Sequence, residues 1–339
     1  MMGLGKDLIK NILSGYRITK AFNYLSPYKV VVLMYHDLSD DSDIPSWLRV
    51  KESAFNQQMK CFSRLMNILR HDQLFIVEAL DRHKLNILIT FDDGFTNQYR
   101  LGLPILQKYN VPALFFLSTE HVVSGETFWF DRIICPIQHK QMSSIDLRQL
   151  GLKIYRFHRT NGIERWNGIQ VLLEDIKAKG NDTSPDVRRI INYFEDSFPD
   201  IMDQIAFKYR PLTKAEILEM KSTKLCYFGS HSHRHEILTY LKEDDIRTNL
   251  VKSKTFLEGL LGEPIAHFSY PNGDTNTRVS TWCRNEGYKY GYVAKSGLLK
   301  LNTPPMNIPR IAVSGYDSIQ SLFWKINKEL IRSIWKLSI

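Results

Sequence analysis

The chain has 339 residues, of which 43% are hydrophobic and 24% charged, and its formal net charge is +9. That length suits one large α/β domain or two ordinary ones, and the balance excludes wholesale disorder. No stretch approaches the roughly 18–20 apolar residues of a membrane span, and Cys61, Cys135, Cys226 and Cys283 include no CxxC pair, which argues against a disulfide framework or a thiolate zinc site.

Residues 1–29 carry Lys6, Lys10, Arg17, Lys20 and Lys29 against Asp7 alone, so 1–27 is expected to be a basic amphipathic segment. Val30–Met34 predicts a first strand, ending at Tyr35-His36. The apolar run Val30 to Tyr35 is too short and wrongly flanked for a signal peptide, and a cytoplasmic location is expected. A helical pattern over Ser53–Leu69 leads to a strand over Ile87–Phe91, closed by Asp92, Asp93 and the turn residue Gly94. Tyr99–Tyr109 then predicts a helix and Ala113–Leu117 a strand ending at Ser118-Thr119. An aromatic run, Phe128-Trp129-Phe130, precedes Asp131 and Arg132; it is a candidate for stacking on sugar faces or for ordinary core packing. Asp131 and Arg132 are candidates to bound a cleft. Between about 134 and 203 the pattern turns polar and predicts helices and loops without strands, an insertion serving as a substrate lid or a plain helical cover. A helix over Thr213–Met220 precedes a strand over Leu225–Phe228, which runs into the histidines 231–235. A helix over Lys242–Leu261 leads to a strand over Ala266–Tyr270, followed by Pro271-Asn272-Gly273. Arg278–Glu286 predicts a helix and Tyr290–Val293 the last strand. This alternation is the βαβ signature, and polar clusters at the carboxyl ends of parallel strands mark where barrels and open sheets place their sites. Residues 316–339 predict a terminal helix with Phe323, Ile326, Leu330, Ile334 and Leu337 on one face and Lys325, Lys328, Arg332 and Lys336 opposite. Such a helix either lies on the anionic inner face of a membrane or packs on its own domain. No nucleic-acid-binding motif accompanies the charge.

Two carboxylates at a buried strand end are costly and oppose each other's ionisation. His231 and His235 are four apart, so on a helical turn they would project from one face, with His233 pointing elsewhere. One aspartate with two histidines makes a three-ligand metal site that leaves room for water, and the neighbouring aspartate stays free as a base. Such a donor set suits zinc, with cobalt and nickel as alternatives.

Thr90-Phe91-Asp92-Asp93-Gly94, the His231-to-His235 pattern and Phe268-Ser269-Tyr270-Pro271-Asn272-Gly273 resemble the motifs of polysaccharide deacetylases with a NodB-homology domain, carbohydrate esterase family 4. "LPILQKYNVPALFFLS", "FWFDRI" and "EGYKYGYVAKSG" fit as well, and the resemblance spans roughly 28–315. It implies a deformed (β/α)₇ barrel and a metal-dependent hydrolase removing acetyl groups from N-acetylhexosamines. By position, Asp92 matches the base and Asp93, His231 and His235 the metal ligands. The backbone N–H after Tyr270-Pro271, near Asn272, matches the oxyanion donor. Two departures stand out. Ser269 occupies the slot where many members carry an arginine braced against the base; Arg310 either replaces it from elsewhere or forms an ordinary surface ion pair. No histidine follows His267, so the late Leu-x-His acid is missing. However, "VVLMYHDL" resembles the rearranged poly-N-acetylglucosamine deacetylase branch and points to His36 as general acid, with Asp37 a local cap or loop charge. The substrate class implied is a polysaccharide, oligosaccharide or lipid-linked glycan of exopolysaccharide or lipopolysaccharide biosynthesis. The rival readings are an amide or imide hydrolase on a small non-sugar substrate and a catalytically silent carbohydrate-binding relative.

Overall fold

The computed structural model describes residues 15–25, 29–43, 46–180 and 183–335. Seven parallel strands follow one another around a barrel in chain order: β1 (Val30–Tyr35), β2 (Asn86–Phe91), β3 (Ala113–Leu117), β4 (Cys226–Ser230), β5 (His267–Ser269), β6 (Tyr290–Tyr292) and β7 (Ile311–Ala312). β1 is flanked by β2, with Val32 opposite Leu88, and by β7, with Leu33 opposite Ile311. The wall between β6 and β7 is completed by Ile308, which bridges Tyr292 just before the chain enters β7. This is the expected deformed (β/α)₇ barrel.

Every residue of β1, β2 and β3 is buried, as happens when both faces of a parallel sheet are covered. Val31, Leu33, Ile89 and Phe91 pack outward against Phe55, Met59 and Leu106 of the surrounding helices. The alternating set, Val30, Val32, Leu88, Leu114 and Phe116, fills the barrel with Tyr292 and Ile308. The same period of two carries Leu88, Thr90 and Asp92 inward, so the polar end of β2 is aimed at the mouth of the barrel.

Three expectations need correction, and an alternative left open for the terminal helix is decided. The insertion contains an antiparallel pair, Ser144–Asp146 with Ile154–Arg156, packed with helices Asp131–His139, Gly162–Lys177 and Pro185–Ser197 around its own apolar cluster of Ile145, Tyr155, Trp166, Ile169 and Ile190. Three-residue strands are too short to carry a periodic signal. Residues 231–235 are not a helical turn: Ser232 and His235 have φ of 65° and 59°, and the turn is tied by Ser232 N–H donating to Ser230 Oγ and His235 N–H to Ser232 Oγ. Asp37 is not a loop charge but lies fully buried in a short strand, Asp37–Ser39. Finally, the terminal helix, Ile319–Trp335, sinks Leu322, Phe323, Ile326 and Leu330 into the core shared with β1 and β2, so that apolar face cannot lie on a membrane. Tyr16, in helix Tyr16–Leu25, meets Phe323 with ring centroids 5.9 Å apart. Lys6, Lys10, Lys336 and Leu337 fall outside the described residues. Among the described residues no helix is long and apolar enough to cross a membrane.

Candidate functional site

Asp92, the last inward residue of the β2 run, is 2% exposed. Its carboxylate is gripped by the buried Arg310 guanidinium in a two-pronged pair, Nη1–Oδ1 at 2.7 Å and Nη2–Oδ2 at 2.8 Å. Arg310 Nη2 also donates to Ser269 Oγ at 2.9 Å, and Ser269 Oγ donates to Asp92 Oδ2 at 3.3 Å. Arg310 Nε donates to Val293 O, and Nη1 reaches Thr90 Oγ1. The serine at the motif position thus leaves space that Arg310, entering from just before β7, fills. Burial pushes the Asp92 carboxyl up, but Arg310 and the nearby His231 outweigh it and hold it below the ordinary carboxylate range. Asp92 is therefore ionised at neutral pH.

Asp93 should by alternation face away from Asp92. Instead it has a φ of 73°, and Gly94 follows at 85°, so the backbone reverses and both carboxylates reach the same cavity. Left-handed aspartate is uncommon and mildly strained. Asp93 Oδ1 lies 3.3 Å from His231 Nε2 and 3.1 Å from His235 Nε2, yet neither carboxylate oxygen makes a hydrogen bond although both are buried. His231 Nδ1 sits 2.8 Å from Ser269 O; a carbonyl can only accept, so Nδ1 carries the proton and Nε2 presents its lone pair. The three ligand atoms lie within 4.8 Å of one another. A buried carboxylate without a donor, facing two imidazole nitrogens, fits a divalent cation. His233 turns away, with Nδ1 2.9 Å from Thr119 Oγ1.

These groups open onto one cavity of 430 Å³, also lined by His36, Trp129, Tyr270, Asn272 and Arg310. His36 is half-buried; burial lowers its pKa, opposed by the two aspartates. Tyr270 points its hydroxyl into the core, to Met306 O at 3.1 Å, and its N–H is spent on Tyr292 O. Pro271 is buried beneath the turn. The Asn272 N–H makes no hydrogen bond among the described residues. Phe130 joins Trp129 on the cavity wall, whereas Phe128 is wholly buried beneath it. Sequence reasoning missed Trp47 and Trp166, stacked with centroids 6.3 Å apart on the same wall, and Lys177 from the insertion. Their only signal was composition.

Asp131 and Arg132 do not bound the cleft. Arg132 pairs with Glu195 at 2.6 Å. Asp131, fully buried, pairs with Arg49, which also reaches Asp37 at 3.3 Å and stacks its guanidinium 3.7 Å over the Tyr209 ring. One buried cation thus serves two buried carboxylates. Asp37 is pushed up to about 7, chiefly by burial against the pull of Arg49, with Asp131 adding to the rise. An acid whose folded pKa exceeds its unfolded one contributes stability that is complete below about 4 and lost as pH rises through about 7. Urea unfolding should accordingly show wild-type stability falling between about pH 4 and 7 and levelling off above, and Asp37→Asn flattening that slope; parallel slopes would contradict the assignment.

The polysaccharide deacetylase family model matches residues 80–291. The chain is 32% identical over 94 residues, 27% of its length, to YxkH of Bacillus subtilis (strain 168). It is 25% identical over 149 residues, 42% of its length, to poly-beta-1,6-N-acetyl-D-glucosamine N-deacetylase of Staphylococcus epidermidis. These matches span 32% and 47% of the two relatives. The fold is similar to that of deacetylase PplD of Streptococcus pyogenes, solved in complex with acetate, with a TM-score of 0.57 at 17% identity, covering 88% of this chain and 98% of that one.

Proposed function

The chain belongs to the polysaccharide deacetylase family, and on that premise we propose that it is a metal-dependent hydrolase that removes N-acetyl groups from N-acetylhexosamine units of a polysaccharide, oligosaccharide or lipid-linked glycan. The observation that carries this reading is the pairing at the end of β2: an ionised, buried Asp92 held by Arg310, beside an Asp93 carboxylate that has no hydrogen bond and faces two imidazoles. Asp93, His231 and His235 would hold the cation, zinc by preference with cobalt or nickel as alternatives. When bound it supplies Lewis-acid polarisation and acidifies water. The chain's own residues do the rest. Asp92 takes the proton from the attacking water, and Arg310 keeps its carboxylate ionised and oriented. The free Asn272 N–H donates to the oxyanion as the acetamide carbonyl becomes tetrahedral. His36, on the same cavity, delivers a proton to the leaving amine. Trp129 and its aromatic neighbours offer flat apolar surface to the sugar ring.

The test is acetate release from a panel of N-acetylhexosamine oligomers and lipid-linked N-acetylated glycans, by protein as purified, after chelation, and after metal add-back. Release that disappears on chelation and returns with zinc, cobalt or nickel is expected. A protein with metal demonstrably bound that releases acetate from none of them would sink the proposal.

A further inference from the structure

Lys177 ends the insertion helix Gly162–Lys177, and its Nζ donates to Asn272 Oδ1 at 2.7 Å and to Glu174 Oε1 at 2.8 Å. Lys177 and Asn272 both line the cavity, and the bond between them spans 95 positions of sequence, from the insertion to the turn after β5. The lysine side chain is only 19% exposed, whereas Glu174 is 64% exposed. The lysine is thus held between its own helix and the barrel turn, with most of its side chain out of solvent.

The turn that receives this bond is tightly specified. Asn272 has a φ of 58°, a left-handed conformation that asparagine tolerates better than most residues. Its Nδ2 donates to Asp274 Oδ2 at 2.7 Å, so the side-chain amide is held at both ends. Gly273 follows at a φ of 76°, where a Cβ would stand 2.2 Å from Ala294 Cβ, and its N–H donates to Tyr270 O at 2.8 Å. Within this turn the Asn272 N–H is left for an incoming acceptor, and its direction depends on the Asn272 backbone staying left-handed.

We infer that Lys177 is a positioning residue: by holding the Asn272 side chain it keeps the Asn272 N–H aimed into the cavity, and so makes the oxyanion donor depend on the docked insertion. This rests on the reading of Asn272 given under the proposed function. The insertion is then more than a cover, because it supplies the restraint that aligns a turn of the barrel. Losing Lys177 removes one of the two charge-assisted hydrogen bonds that hold the Asn272 side chain, and the only one that comes from the insertion among the described residues.

Two measurements test this. In Lys177→Met, which keeps the apolar stem and deletes the donor, amide exchange at Gly273 should quicken by about tenfold, the scale of one hydrogen bond to a charged group, while exchange at Ile89 in β2 stays unchanged. On an acetylated substrate kcat should fall by about tenfold with KM little altered, Asn272→Gly should show a similar loss, and the double variant should lose no more than either alone. Unchanged exchange at Gly273 would overturn the inference whatever the activity, and so would losses that multiply in the double variant. If wild-type protein released no acetate, the deacetylase reading would fail, and quickened exchange at Gly273 would still establish that Lys177 restrains the turn.

Discussion

Asp92→Asn is expected to lower acetate release by about 10²–10⁴-fold, the range lost when a positioned general base is removed. The amide is nearly isosteric and can still accept one hydrogen bond from Arg310, but it cannot take a proton from water. Metal content, measured on the purified variant, should be unchanged, because the three ligand atoms belong to Asp93, His231 and His235. The change also leaves Arg310, 1% exposed, without its countercharge. A single partner removed from a buried pair costs about 3–5 kcal/mol, so a fall in melting temperature should accompany the fall in rate. Activity within a few fold of wild type would remove Asp92 from the role of base.

Arg310→Met should be nearly as damaging, for a reason a pH profile can isolate. Burial alone would raise the Asp92 pKa; Arg310 is the largest influence opposing it. With the guanidinium gone, Asp92 should bind its proton up to a higher pH, and the acidic limb of kcat/KM should move towards neutrality or beyond. Lost activity at pH 7 would then recover in part at higher pH. A purely structural role would lower the rate evenly across the range. Arg310→Lys separates charge from geometry: an ammonium retains the charge but cannot hold both carboxylate oxygens and Ser269 from one plane. It should keep the limb near its wild-type position while still losing rate. A profile for Arg310→Met with the wild-type limb would rule out the bracing role.

Much of this arrangement was legible before any tertiary contact was known. Six of the seven barrel strands announce themselves as short apolar runs, since a strand covered on both faces has few places for polar side chains. The seventh, Ile311–Ala312, has only two residues and is recognised by its pairing with β1. The same limit hid the hairpin of the insertion. TFDDG and the spaced histidines are legible because local backbone places them: Asp92 and Asp93 are adjacent, and His231 and His235 share one turn. Even there the expected helical turn was wrong, because serine side chains capture the backbone N–H groups that a helix would use.

The sequence by itself determined the βαβ rhythm, the strand ends that carry chemistry, and the paired residues Asp92-Asp93 and His231/His235, each of which follows from residue types within a few positions of one another; that the two pairs meet at one site is the work of the barrel. Only the tertiary structure decided that Arg310 grips Asp92 across 218 positions, that Arg49 is shared by Asp37 and Asp131, that Lys177 holds Asn272, and that the terminal helix spends its apolar face on the core. Each of these is a charge or an apolar surface with several eligible partners along the chain. Which partner it meets depends on the closure of the barrel and the docking of the insertion, where burial removes water as the competing partner and makes one pairing far better than the rest.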